Sequence, residues 1–464
     1  MAERKPRQRK FAPRSRTGCL TCRQRRKRCD NRQPRCENCT RLNLTCDWQA
    51  PRRVVATIVS RPTSPRTQLS VPQSLHPPGG LWDSPLIDSI AEKQQLLHYY
   101  IEAFVPSVSV AAIPTSFYTS LYVPWAFQID GMLNAILAIA SAQLARRTES
   151  QERAEYLRMV SCRHEGMCYA FIKDRICLDG SLPRDPYQVA AVILILVGLE
   201  ALNGAKTTRW ISQLKSVQRI LNLLPPEQRV IDCIEIDSLQ RHFTYHSASA
   251  SLMANVSNVS MEFSTERELV LLTAAAPVTI DPLMGINYQL CDLISRIQYL
   301  SSGPAFPLVT EASFHAIELD IQKWNYQNPF SFGVDLSTAL DLVALAEAYR
   351  IAALIQLYRS SPMHTVLIPA CASRSMEFIS RIPPGSPAES SLLYPIFLAG
   401  AELDDDVAID RCTRRLEDIQ NRNRYENVSS AQKVLQEVWR SRSKGSKRDW
   451  EDILREWQWS FTLG

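Results

Sequence analysis

Cys19, Cys22, Cys29, Cys36, Cys39 and Cys46 follow the spacing C-x2-C-x6-C-x6-C-x2-C-x6-C, two copies of one half-pattern joined by a six-residue connector. Thiolate sulfur is a soft ligand that suits Zn²⁺, and structural zinc takes four ligands in a tetrahedron. Six thiolates satisfy two ions only when two of them are shared. The duplicated half-pattern offers a symmetric way to share, with the first and fourth cysteines as bridges. Cys19, Cys22, Cys29 and Cys36 would hold one ion, and Cys19, Cys36, Cys39 and Cys46 the other. A disulfide framework is the competing reading, since even numbers of close cysteines also mark small secreted folds. Against it, the opening MAERKPRQRK is charged and no apolar signal region follows. The other seven cysteines (Cys162, Cys168, Cys177, Cys233, Cys291, Cys371 and Cys412) are scattered, as free thiols in a reducing compartment are. The cluster reads as a metal site.

Charge points to the partner. Residues 1–53 hold 17 Lys+Arg against 4 Asp+Glu, a net of +13, and the remainder holds 36 against 43, a net of −7. Two Zn²⁺ and six thiolates would leave the N-terminal segment strongly positive. A basic segment beside an acidic body is the footprint of a phosphate-binding module with a regulatory attachment. Between Cys22 and Cys29 lie Arg23, Gln24, Arg25, Arg26, Lys27 and Arg28. Zinc at both ends would let so short a stretch hold a helical turn despite its mutual repulsion. Five cations on that turn cannot all face one base edge, so some must meet phosphates. The expected partner is double-stranded DNA.

The run TGCLTCRQRRKRCDNRQPRCENCTRLNLTC, from Thr17 to Cys46, resembles the fungal Zn₂Cys₆ binuclear-cluster transcription factors. The likeness covers all six cysteines, the basic loop and Pro34, two residues before Cys36. Modules of this kind place a helix in the DNA major groove. The resemblance implies the same bridging of two zinc ions and a CGG triplet as target. In the family the residue four after the second cysteine, often lysine, contacts that triplet. Here it is Arg26, and arginine pairs bidentately with guanine O6 and N7, worth roughly 1–3 kcal/mol of discrimination. Arg26 and then Arg25 are expected at base edges, with Arg23, Lys27 and Arg28 on phosphates. A phosphate clamp without sequence information is the plainer role for any one of these arginines. The second half-cluster, Glu37 to Thr45, is less basic and is expected to pack and orient; Pro34 is expected to set the turn that returns Cys36 to the first ion.

Four segments follow from composition. Residues 1–16 form a basic disordered arm, with seven basic residues between Arg4 and Arg16 and no apolar periodicity. A nuclear import signal, and hence the nucleus, is the expectation there, a solubilising tail the bland alternative. Residues 17–47 are the DNA-binding module. Residues 48–85 are a Pro- and Ser-rich disordered linker that cannot bury a core. Residues 86–464 are long enough for a large domain. Ile87, Ile90, Gln94, Leu97 and Ile101 follow a helical stripe, too short for a coiled coil. Dimerisation through the linker is unsupported, which leaves a monomer, or a homodimer paired through the helical domain.

The body reads as all-α. Glycine is scarce, and Trp210, Leu214, Val217, Leu221 and Leu224 fall on one helix face. Val189 to Leu202 is apolar all round yet shorter than the roughly 20 residues of a membrane span, so a central core helix and no membrane are expected. GMLNAILAIASAQLA from Gly131, TTRWISQLKSVQRIL from Thr207 and LLYPIFLAGAELDDD from Leu392 resemble the fungal-specific transcription factor domain, while residues 245–285 and 300–335 match it poorly. That likeness implies regulation of a metabolic or biosynthetic pathway through RNA polymerase II genes, with the transcription machinery or coregulators as partners. It leaves a ligand-sensing or corepressor platform with secondary DNA contact as the alternative.

An enzyme is not expected: G-x-S-x-G, a Gly-rich phosphate loop and H-E-x-x-H are missing from the sequence. His242 and His246 lack a third ligand at a suitable spacing and read as polar helix residues, and His164-Glu165 as surface. Asp404, Asp405 and Asp406 read as a helix N-cap. The C-terminal DWEDILREWQWSFTLG offers Trp450, Ile453, Leu454 and Trp457 to a core, or an acidic activation segment.

Overall fold

The computed structural model describes residues 18–48 (without 20, 23, 24, 26, 28, 43 and 47), 90–113, 116–177, 179–224, 234–257, 280–302, 307–446 and 448–464. The expected arm and nearly all of the expected linker lie outside them. The chain divides into two compact units, Met1–Ser70 and Val71–Gly464. In the larger unit, helix follows helix from Ile90 to Trp457, and among the described residues the one extended pairing is an isolated bridge between Asp281 and Gly285. The all-α expectation holds.

The apolar run at Val189–Leu202 lies within helix Pro186–Asn203, which packs against Asp130–Arg147, Arg209–Leu223, Ile234–Ser257 and Glu426–Ser443. Surrounded in this way, it has no use for a polar face. At 18 residues with a mean hydropathy of 1.6 it is long and apolar enough to cross a membrane, a length the sequence reading had denied it; 72% of it is buried inside the unit. Glu200, buried on this helix, pairs with Arg209. Gly204 ends the helix at φ +60°, and a Cβ there would sit 2.5 Å from Glu426 Cβ. The stripe from Trp210 to Leu224 is buried along its whole length, as its period requires.

Of the stripe expected from Ile87 to Ile101, Leu97 and Ile101 pack partly buried against the core, Ile87 lies outside the described residues, and Ile90 and Gln94 are exposed. Ile90 is 79% exposed, and Leu96, Tyr99, Tyr100, Ala103 and Phe104 are buried instead. The α-helix Ile90–Tyr99 passes into a π-helical stretch at Tyr100–Phe104, and a second π-helical stretch spans Tyr118–Tyr122. The wider π turn rotates the following residues relative to a 3.6 period. Aromatic side chains, rather than the aliphatic ones the pattern singled out, dominate burial here.

Polar groups inside the unit are mostly paired. Glu92 accepts from Arg153 Nη1 at 3.1 Å and from Tyr156 Oη at 2.8 Å. Arg359 meets Glu402 at 2.6 Å, Asp449 at 2.7 Å and Glu451 at 3.3 Å, with its guanidinium 5.2 Å above the Trp450 ring. Asp405 accepts from Ala408 N at 2.8 Å, the cap expected of that acidic run. The expectation of a surface position fails for His164, and His242 and His246, read as polar helix residues, are buried as well. His164 is buried beside Asn134 Oδ1 at 2.7 Å. His242 and His246 are buried against each other, and Tyr122 Oη lies 2.9 Å from His242 Nδ1. Their own helix, Ile234–Ser257, packs against four others, so few of its faces reach water.

The C-terminal segment belongs to the core. Trp450, Ile453, Leu454, Phe461 and Leu463 are buried, Asp449 and Asp452 form a capping box, and Leu463 N donates to Ser249 Oγ at 2.7 Å. Trp450→Ala should therefore cost about 3–5 kcal/mol, read as a lower midpoint of thermal or urea unfolding. Deletion of residues 447–464 should abolish soluble protein. Acid should destabilise the unit as well. Burial lowers His246 from 6.5 to about 3 and holds His242 well below its ordinary value. The unfolded chain then binds the extra protons, so stability falls as pH drops below about 6.5, by up to ~1.4 kcal/mol per pH unit for each group. Replacing both by Gln should flatten that part of the pH profile.

Candidate metal centre and nucleic-acid interface

Among its described residues the small unit has almost no aliphatic interior: the buried side chains are Cys19, Cys22, Cys29, Cys36 and Cys39, with Leu44, Cys46 and Trp48 packed against them. Each half-pattern uses one local device. Cys22 N donates to Cys19 Sγ at 3.4 Å, and Cys39 N donates to Cys36 Sγ at 3.4 Å. In the second half this contact caps the short helix Glu37–Thr40. The repeat written in the spacing is thus a repeat in the fold.

These devices point the sulfurs inward. Cys19, Cys22, Cys36 and Cys39 place their Sγ atoms within 4.8 Å of one another, with four of the separations between 3.6 and 3.9 Å. A tetrahedron with Zn–S bonds of about 2.3 Å has edges of about 3.8 Å, so these sulfurs are spaced as zinc ligands are; the grouping cuts across the two expected sets, which give Cys22 to one ion and Cys39 to the other. No disulfide joins them. Cys29 groups with Cys36 and Asp30, and Cys46 Sγ accepts from Cys36 N at 3.3 Å. The donor set fits zinc.

Electrostatics distinguishes the thiols. Burial pushes Cys19 up to about 12 and raises Cys22 and Cys36. Burial acts on Cys29 too, but hydrogen bonds from the Asn31 and Cys19 backbone and with the Cys36 and Cys19 thiols outweigh it and lower the group. Cys46 is lowered chiefly by the Cys36 N–H, aided by the thiols of Cys19, Cys36 and Cys39. Cys29 and Cys46 thus share Cys19 and Cys36 as neighbours. Proton loss from the buried thiols requires a cation, which metal binding supplies.

Of the loop residues, Arg25 and Lys27 are exposed, while Arg23, Arg26 and Arg28 lie outside the described residues. Arg25 N donates to Thr21 O at 3.2 Å and Lys27 N to Cys22 O at 3.0 Å, which winds the chain into a turn after Cys22. Thr21 Oγ1 donates to Thr45 O at 2.6 Å and ties the two halves together. Leu44 packs on the cluster as expected, but Leu42 is half exposed.

Two contributors were missed in the sequence. Asp30 Oδ2 accepts from Glu37 N at 3.1 Å, and this bond holds its carboxyl below the usual range. Trp48, one residue beyond the expected module, packs on the cluster and donates from Nε1 to Pro34 O at 3.1 Å. An acidic residue just after the third cysteine was a visible signal for the first. The second had no local signal.

Comparison with known proteins agrees with this geometry. Residues 17–53 match the fungal Zn(2)-Cys(6) binuclear cluster domain, and residues 95–464 match the fungal specific transcription factor domain. The second match runs through 245–285 and 300–335, where the sequence reading saw little likeness. The chain is 22% identical to the transcriptional activator protein UGA3 of Saccharomyces cerevisiae, over 95% of its own length and 96% of that protein. It is 66% identical over 38 residues, 8% of the chain, to the zinc cluster transcription factor CZF1 of Candida albicans, covering 10% of that protein. Over 40 residues, 9% of the chain, it is 49% identical to the sterol uptake control protein 2 of Candida albicans, covering 6% of that protein. No solved structure matches.

With so little apolar interior, metal removal should unfold the small unit. Exhaustive chelation should collapse the dispersed NMR signals of residues 18–48 while the helical far-UV dichroism of the large unit persists. Signals that stayed dispersed would contradict a metal-held fold.

Proposed function

The chain belongs to the fungal-specific transcription factors that carry a Zn(2)-Cys(6) cluster, and from that membership we propose a nuclear regulator of RNA polymerase II genes that reads CGG-containing double-stranded DNA. The observation that carries this reading is the turn after Cys22, whose exposed Arg25 and Lys27 stand beside a buried sulfur cluster. Fixing a cationic segment on a metal knot presents donors without the entropic cost of ordering a free loop.

In this reading Cys19 and Cys36 bridge two ions. Cys22 and Cys29 complete one tetrahedron, and Cys39 and Cys46 the other. Every coordination position is filled by sulfur, which leaves no open site of the kind a catalytic zinc keeps. Arg26 and Arg25 read bases, and Arg23, Lys27 and Arg28 hold phosphates. The chain is arranged as a basic arm at 1–16, the cluster at 17–47, a linker at 48–85 and the regulatory body at 86–464. The body supplies the surface for coregulators or the transcription machinery and for a homodimer, and controls genes of a metabolic or biosynthetic pathway.

Two experiments test the assignments. Arg26→Ala should erase the preference for CGG over scrambled DNA, whereas Arg23→Ala should weaken both alike, measured by fluorescence anisotropy at fixed salt. Equal losses on both sequences from both variants would reject the assignment. Zinc counted by native mass spectrometry should fall from two to below one in Cys36→Ser and to about one in Cys46→Ser, because only the first removes a ligand common to both ions.

A further inference from the structure

A cavity lies inside the helical unit, where both π-helical stretches meet the middle of helix Pro186–Asn203 and the histidine face of helix Ile234–Ser257. Its volume is about 80 Å³ of space open to water-sized centres, several times the ~10–15 Å³ that one water needs. Leu194, Ile195, Leu393 and Leu463 give it apolar walls. Gly198 opens it, since no side chain projects from that turn of the helix.

Its polar lining is unusual in one respect. Tyr100 Oη, His246 Nδ1, Ser390 Oγ, Tyr425 Oη and Asn427 Oδ1 all belong to lining residues, and none has a hydrogen-bond partner among the described residues. Native interiors leave few such groups, and each one calls for an explanation. Tyr100 and His246 are themselves at least 97% buried. Other lining groups are paired: Tyr118 lies 3.4 Å from His242, and Tyr122, outside the lining, reaches the same imidazole at 2.9 Å. Buried polar groups without partners occur elsewhere in the unit too, at Trp210 and Asn287 for example, but here five of them border one open space. Two π-helical stretches border it as well, a rare feature that recurs at functional sites.

Charge narrows the occupant. No Lys or Arg is among the lining residues, so an anion would find no counter-charge. The one lining carboxylate, Glu389, already pairs with Arg415 and Arg422, so a cation gains little. The phenols and imidazole offer hydrogen bonds within an otherwise largely apolar chamber.

We propose that this cavity is a binding site for a small uncharged molecule with an apolar body and a hydroxyl group, which the unpartnered Tyr100, His246 and Tyr425 atoms receive. The site stands independently of how the cluster meets DNA.

4-Ethylphenol is a probe of that chemistry. Titrated calorimetrically into the full-length, zinc-loaded protein, it should bind saturably with one site per chain and raise the thermal midpoint. Ethylbenzene, which lacks the hydroxyl, should bind about tenfold more weakly. The 4-ethylbenzoate anion should not bind. Gly198→Leu should abolish 4-ethylphenol binding by filling the chamber, and a Cβ at that position meets nothing closer than Ile139 Cδ1 at 3.4 Å. Tyr100→Phe, which removes one unpartnered hydroxyl and no bulk, should weaken binding about tenfold and carries the test should the leucine variant fail to fold. No saturable binding, or binding that survives both substitutions in folded protein, would mean a chamber filled by water alone and would overturn the proposal. Ethylbenzene binding as tightly as 4-ethylphenol would overturn it too.

Discussion

Sulfur–metal bonding is the constraint on which the N-terminal unit depends. A stretch of about thirty residues with three leucines, one tryptophan and a surplus of cations cannot bury enough apolar surface to offset its chain entropy. Its interior is made of cysteine. The thiols of Cys19, Cys22 and Cys36 resist ionisation where they sit, so the fold and the metal form together or not at all. Positive charge then becomes tolerable. Arg25 and Lys27 stand on a turn whose end is fixed by Cys22, and their mutual repulsion is relieved when phosphate arrives.

The helical unit solves the opposite problem. It has apolar residues in abundance, and its core is built around a helix with no polar face, so its specificity rests on the few polar groups it encloses. Most are paired: Glu92 with Arg153, Arg359 with three carboxylates, Glu389 with two arginines. Among the described residues, two buried phenols without partners, Tyr100 and Tyr425, line one chamber together with His246. A core that satisfies its ion pairs yet leaves phenols unmet in a single place has kept that place for something else.

What was legible in the sequence was local. The stripe from Trp210 to Leu224 and the apolar run at Val189–Leu202 each express a contact rule within a few residues, and each appears in the structure as read, while the cysteine spacing announces a sulfur cluster without fixing which sulfurs share an ion. Asp405 as a cap is the same kind of inference. The failures are long-range. Tyr118 meets His242 across 124 residues of chain, and nothing near either residue announces it. His164 finds Asn134 on the preceding helix, and Trp48 returns to Pro34 from outside the apparent motif. The stripe at Ile87–Ile101 misled in part: Ile90 faces water, while Leu96, Tyr99 and Tyr100 carry the fully buried face. The chamber could not have been read at all, since it is made by the absence of side chains where several helices meet.

The central claim is that the zinc cluster is the reader, and genome-wide occupancy of the intact protein against Cys29→Ala tests it most directly. Cys29 belongs to the cluster but lies outside the basic turn, so its loss removes the metal scaffold and leaves every cation of that turn in place. The account predicts sharp wild-type peaks over CGG motifs that vanish in the variant while its cellular level is maintained. Peaks that persist at the same sites would contradict it, because the body would then be recruited by another factor and the cluster would not be what finds the DNA.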